Sequence, residues 1–174
     1  MLLLQHVPTL EDSFLNVYRQ QGAYTDSYAL DFSHGVTLSQ YVEAFYSSKV
    51  FKIERWLLNC LFNCYANDEL AGCLGRGEVS QFSIWTVEMR DDEQLLLCDV
   101  FQRTRSWLMC RQSPDPSKGT RLYFGSAVLP KRHSTDGKPV FGCAFHALHG
   151  FHHAYSQALL RSTYHKLTTL FECR

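Results

Sequence analysis

The chain has no excess of charge in either sign: 17 Lys+Arg balance 17 Asp+Glu over 174 residues, and the isoelectric point is about 7.1. It therefore lacks the basic footprint of a nucleic-acid binder and the polybasic attraction to an anionic membrane. No apolar run approaches the ~20 residues of a membrane-spanning helix. Met1-Leu2-Leu3-Leu4 is apolar, but Gln5, His6 and Pro8 interrupt it. Without a basic n-region it does not read as a signal peptide. The expectation is a cytoplasmic protein with no membrane span and no nucleic-acid partner.

Catalytic signatures are also missing. There is no nucleophile elbow, phosphate loop, His-Glu-x-x-His or covalent haem motif. The seven cysteines (60, 64, 73, 98, 110, 143 and 173) are odd in number and irregular in spacing. Cys60 and Cys64 share a helical face, but no second pair completes a zinc site, so they read as reduced thiols in a core. No catalytic residue, cofactor or metal ligand is assigned.

What the chain does have is 45% hydrophobic residues, enough for one domain with its own core. Residues 1–22 form a lead-in, with a short helix over Leu10–Tyr18 that Gly22 ends. Tyr24–Ser33 alternates as a half-buried strand, with Tyr24, Tyr28, Leu30 and Phe32 on one face and Asp26 the polar exception. Thr37 and Gln40 form a capping box for a helix from Leu38. A second helix carries Val50, Ile53, Leu57 and Leu61 at helical spacing, and Asn67 caps a third that Gly75 and Gly77 stop. Strands over Phe82–Met89, Gln94–Phe101, Thr104–Arg111 and Thr120–Leu129 follow. A polar connection over 131–143 leads to one long helix beginning near Phe145. The fold class is α+β: an antiparallel sheet wrapped around a long C-terminal helix, with two or three helices inserted after the first strand.

Tight turns at Asp91-Asp92 and Gln102-Arg103 imply a register, and register implies facing. It pairs Trp85 with Cys98, Cys98 with Trp107, and Trp107 with Phe124. One face then collects Trp85, Val87, Leu96, Trp107, Met109, Leu122 and Phe124, with Arg105 and Ser126 as its polar members. The other mixes Phe82, Leu95, Leu97 and Leu108 with Thr86, Glu88, Asp99 and Ser106. The first face is expected to meet the closing helix along Phe145, Leu148, His152, Tyr155, Leu159, Thr163, Leu167 and Leu170.

Two side-chain groups invite chemistry. His146, His149 and His153 flank the closing helix at spacings that suit a metal, but no carboxylate joins them. A solvated helical flank is the plainer reading. Arg105 is read either as an anchor for a carboxylate or phosphate head, or as a side chain that snorkels out or meets an acidic partner.

In layout and phrasing, the chain resembles a bacterial family of uncharacterised function associated with the START-like helix-grip superfamily (SRPBCC proteins). Tyr24–Phe32, Leu38–Leu58, Trp85–Arg90, Leu95–Leu108, Gly119–Val128 and Phe151–Leu160 carry the likeness, including the run Arg103-Thr104-Arg105-Ser106-Trp107. Five strands are recognised, fewer than that superfamily's usual set. The resemblance implies an apolar cavity between sheet and final helix. Trp85, Trp107, Phe124 and Tyr155 would be its walls, and Arg105, Ser126 and His152 its polar contacts. The expected function is binding of a small apolar or amphipathic molecule, anionic if Arg105 anchors it. The alternatives are a cyclase/hydratase-type enzyme using His152, and a module that homodimerises through Phe82, Leu95, Leu97 and Leu108.

Overall fold

The computed structural model describes residues 4–130, 132–133, 139–140 and 143–172, with backbone alone at 116 and within 132–152. The lead-in holds β1 (Gln5–His6) and α1 (Leu15–Gln20), and β2 spans Tyr24–Phe32. Three helices follow: α2 (Leu38–Tyr46), α3 (Lys49–Phe62) and α4 (Asp68–Arg76). A meander of β3 (Gln81–Phe82), β4 (Trp85–Arg90), β5 (Gln94–Asp99), β6 (Thr104–Gln112) and β7 (Thr120–Val128) comes next. After it, β8 (Arg132–His133) and β9 (Pro139–Val140) pair with each other, and α5 (Cys143–Glu172) closes the chain. The main sheet has seven antiparallel strands in the order β1-β2-β7-β6-β5-β4-β3. The α+β class, the inserted helices and the long closing helix packed on the sheet are as the sequence indicates.

The helix starts are built locally. Thr37 Oγ1 accepts from the Gln40 N–H while the Gln40 side chain accepts from the Thr37 N–H, so both orphan donors are met. Ser48 and Asn67 cap α3 and α4 in the same way, through the N–H groups of Phe51 and Leu70. At the far end of α4, Arg90 on β4 donates to the carbonyls of Leu74 and Gly75 and ties the helix to the sheet. The Gly75 carbonyl is one of the last-turn acceptors that the helix leaves open, while Leu74 also accepts from the Gly77 N–H at the C-cap.

The sheet is covered on both faces, and this overturns the expected facing. Its main core joins Tyr28, Leu30, Phe32, Leu95, Leu97, Leu108, Leu122 and Phe124 to Tyr41, Phe45 and Tyr46 of α2 and to Leu159, Leu160 and Leu167 of α5. A second core on the opposite face packs Leu96, Trp107, Met109 and Ala127 against Leu15 and Tyr18 of α1. Leu97 and Leu108 thus lie with the closing helix, and Trp107 lies away from it. Phe82, Leu95, Leu97 and Leu108 are wholly buried, so the apolar patch expected to mediate dimerisation is interior.

Two departures in the ladders account for the change. A bulge at Glu88 lets Val87 face Leu97 while Met89 faces Leu96, which turns Trp85 and Val87 toward the main core. Between β6 and β7, Trp107 meets Gly125 and Leu108 meets Phe124, one residue from the inferred register. A slip of one residue moves every side chain to the other face. The turns are longer than tight hairpins. Asp91 caps its turn by accepting from the N–H groups of Glu93 and Gln94, and Cys98 pairs with Arg105 across a six-residue connection.

Gln94 anchors the lead-in to the sheet. Its Oε1 accepts from Trp107 Nε1 at 2.9 Å and from the Phe14 N–H at 3.1 Å, and its Nε2 donates to the Asp12 carbonyl. Gly125 lies beneath α1. A Cβ there would stand 2.8 Å from Leu15 Cδ1 and 2.7 Å from the Asp26 carbonyl oxygen, so only glycine allows this approach.

Helix α3 is inverted relative to its expected stripe. Phe51 is buried, whereas Ile53 and Trp56 are 67% and 68% exposed, and Leu57 and Leu61 are also exposed. Among the described residues, no helix is long and apolar enough to cross a membrane.

Candidate functional site

Between the main sheet face and helices α2, α3 and α5 lies a cavity of about 290 Å³. Phe45 and Phe51 line it from the helices, Trp85 and Phe124 from the sheet, Phe101 from the β5–β6 turn and Leu159 from α5. The packing that makes this wall is aromatic. Phe45 stands 4.9 Å from Phe124 and 5.8 Å from Phe51, centroid to centroid. Such rings supply a rigid apolar surface with little rotamer entropy to lose on contact.

The polar groups of the wall fall into two kinds. Most are committed to the fold. The Asp99 carboxylate accepts from the Arg103 and Thr104 N–H groups at 2.7 and 3.2 Å, which closes the β5–β6 turn. Ser126 Oγ donates to Asp26 at 2.6 Å, and Ser106 Oγ shares a 3.3 Å hydrogen bond with Tyr46.

The remainder face the cavity's chemistry. Tyr155 donates its phenolic O–H to Glu54 Oε2. Burial pushes the Glu54 carboxyl up to about 7, with the Tyr155 hydrogen bond pulling the other way. Tyr155 is held well above its usual range by burial and by the neighbouring Glu54 charge. Trp85 has a buried indole N–H with no acceptor among the described residues. An unmet buried donor costs about 1–3 kcal/mol. The cavity therefore offers an apolar body site, one carboxyl poised between its two protonation states, and the Trp85 N–H as a donor lacking an acceptor. Arg105 Nη1 is a further buried donor without a hydrogen-bond partner among the described residues.

Five of the residues expected at the site line the cavity: Trp85, Arg105, Phe124, Ser126 and Tyr155. Arg105 borders the cavity from β6, but its guanidinium is engaged with groups of the other sheet face. Its Nε lies 2.6 Å from Glu88 Oε2 and its carbon 4.8 Å above the Tyr18 ring, while Tyr18 itself donates to Glu88. The acidic-partner reading of Arg105 is the one observed, in place of a free anchor for an anionic head. Trp107 is absent from the cavity because it belongs to the α1 core.

The side chains of His152, His146 and His149 lie outside the described residues. His153 is described: its Nδ1 is hydrogen-bonded to Tyr28 Oη, and its ring lies 5.8 Å from that of His6.

Glu54 and Asp99 were not anticipated. Asp99 shares its face with Leu95 and Leu97, as the sequence indicates, but that face is the one that meets the closing helix. Two apolar stripes compete on α3, and they place Glu54 on opposite sides. Taking Ile53, Leu57 and Leu61 as the inner face leaves Glu54 outside. The competing stripe of Phe51, Leu58 and Phe62 runs beside Glu54 and was the signal available. No protein-family model, curated protein or solved structure matches the chain.

Proposed function

We propose that the protein binds a small amphipathic molecule in the cavity between sheet and helices, with its apolar body among Phe45, Phe51, Trp85 and Phe124. The observation that carries this reading is the unmet indole N–H of Trp85 in an aromatic wall that also holds Glu54. A ligand oxygen would accept from Trp85, and a hydroxyl or ammonium would donate to Glu54. At about 290 Å³ the cavity is near the lower end of small-molecule sites, roughly 300–1,000 Å³, so the ligand is compact. With Arg105 neutralised by Glu88, a neutral or cationic polar end suits the site better than the anionic one first expected. Membership in the START-like superfamily belongs to the same proposal, supported by the element order and the cavity beneath the closing helix.

Calorimetric titration with hexylamine, 1-hexanol and hexanoate tests the preference. The amine and alcohol should bind saturably, and hexanoate about tenfold more weakly, the size of one charge-assisted hydrogen bond. Tightest binding by hexanoate would contradict the assignment of the polar end.

A second reading, acid–base chemistry of cyclase or hydratase type, is favoured by the Glu54 carboxyl near neutrality in an aromatic-walled cavity. It requires turnover with an inflection near pH 7 that Glu54→Gln abolishes. Self-association is moved from the buried sheet patch to the exposed α3 stripe of Ile53, Trp56, Leu57 and Leu61. Mass measured across a concentration series, with Trp56→Ser as the variant, tests it.

A further inference from the structure

We propose a second binding site, a cleft between the start of α3 and the C-terminal half of α5, that takes a phosphate-bearing small molecule. The cleft is separate from the aromatic cavity and shares no lining residue with it.

Its charge is one-sided. The cleft measures about 530 Å³, and its charged or titratable lining residues are Lys49, Lys52, Lys166 and His165, with no carboxylate among them. The chain has only six lysines, at positions 49, 52, 118, 131, 138 and 166, and half of them line this one cleft. The protein is neutral overall, so the clustering is a local arrangement rather than a consequence of a basic surface. Lys52 is paired with Asp68 at 2.5 Å. Neither Lys49 nor Lys166 has an acidic partner among the described residues. Two unbalanced ammonium groups in one concavity repel each other, and a bound anion relieves that repulsion.

The remaining wall suits an oxyanion. Ser162 contributes a hydroxyl donor, since its oxygen accepts from the Val50 N–H and its proton has no acceptor among the described residues, whereas Ser47 and Thr169 donate to the Glu43 and His165 carbonyls. The first turn of the fourteen-residue α3 borders the cleft, so the positive end of its dipole adds to the lysine charge. The two walls are joined where the Val50 N–H donates to Ser162 Oγ at 3.3 Å, which sets the spacing of the cleft before any ligand arrives.

A phosphate monoester fits better than a carboxylate. It carries up to two negative charges and three terminal oxygens, enough to engage Lys49, Lys166 and a hydroxyl together. The volume exceeds what a bare phosphate fills, which leaves room for an organic part. A soluble phosphate ester and a lipid headgroup present the same chemistry, so both sources enter the test.

The probe is sn-glycerol 3-phosphate, titrated calorimetrically against the full chain at low salt, with glycerol and chloride as controls. We expect saturable binding of the phosphate alone. Lys49→Gln and Lys166→Gln should each weaken it about tenfold, as expected for one charge-assisted hydrogen bond. Lys118→Gln, outside the cleft, should leave it unchanged. A parallel arm sediments the protein with vesicles of phosphatidic acid or of phosphatidylcholine. Lys49-dependent binding to phosphatidic acid alone, without binding of the soluble ester, would assign the phosphate to a headgroup. The proposal is overturned if neither phosphate source binds above the chloride control, or if the Lys49 variant binds both as well as the unaltered protein does. Lys49 is exposed, so its variant decides the matter even if Lys166→Gln proves unstable.

Discussion

Replacing Glu54 by Gln should make the protein more stable at alkaline pH and change little at acidic pH. The carboxyl has an ordinary value of 4.5 and is raised to about 7 in the fold. The folded state thus binds more protons than the unfolded state between these values, and stability must fall as pH rises through that window. The contribution is fully present below about pH 4.5, declines between 4.5 and 7, and is absent above. A shift of this size corresponds to about 3 kcal/mol at ~1.36 kcal/mol per unit. It is an upper bound, because Glu54 is only partly buried and water screens its charge. Glutamine keeps an oxygen to accept from Tyr155 and cannot ionise, so Glu54→Gln removes the pH-dependent cost without emptying the site. Urea unfolding of both proteins at pH 4 and pH 8 measures it. The variant should gain up to ~3 kcal/mol at pH 8, about 6–12 °C in Tm for a domain of this size. At pH 4 the two should agree closely. A difference that is the same at both pH values would refute the claim that burial of an ionising carboxyl is responsible.

Gln94→Leu should cost about 2–4 kcal/mol, since it strands the Trp107 indole N–H and the Phe14 N–H together. Urea unfolding reads this, and a loss under ~0.5 kcal/mol, typical of a surface change, would show that Gln94 does not hold the lead-in. Arg105→Met should cost about 2 kcal/mol by leaving Glu88 without its ion partner, yet change the affinities for hexanoate and 1-hexanol equally. A selective loss of hexanoate binding would restore Arg105 as a ligand anchor.

Local signals were legible in the sequence, and pairings between distant residues were less so. Thr37 with Gln40, and Asn67, mark helix starts through bonds that span three residues, and each start lies where its cap indicates. The alternation of Tyr28, Leu30 and Phe32 likewise gives the inner face of β2. Facing across the meander depends instead on single residues: the bulge at Glu88 and the one-residue offset that sets Trp107 against Gly125 rather than Phe124. Neither has a turn motif strong enough to reveal it. Both sheet faces are also covered, so apolar content does not tell them apart. Leu96, Trp107 and Met109 look like core residues, and so do Leu95, Leu97 and Leu108, because α1 and the lead-in cover the face that α2 and α5 leave free. Arg105 was legible as a polar group needing a partner. Its partner was not, since only the bulge brings Glu88 to it.

The most direct test of ligand binding at the cavity is the indole N–H resonance of Trp85, followed in a ¹⁵N-labelled protein while 1-hexanol is added. The Trp85 signal, assigned with Trp85→Phe, should move downfield and saturate as its donor acquires an acceptor. The signals of Trp107, bonded to Gln94, and of Trp56, exposed on α3, should stay in place. An unmoved Trp85 signal at saturating 1-hexanol and hexylamine, or equal drift of all three tryptophans, would contradict a binding site in this cavity.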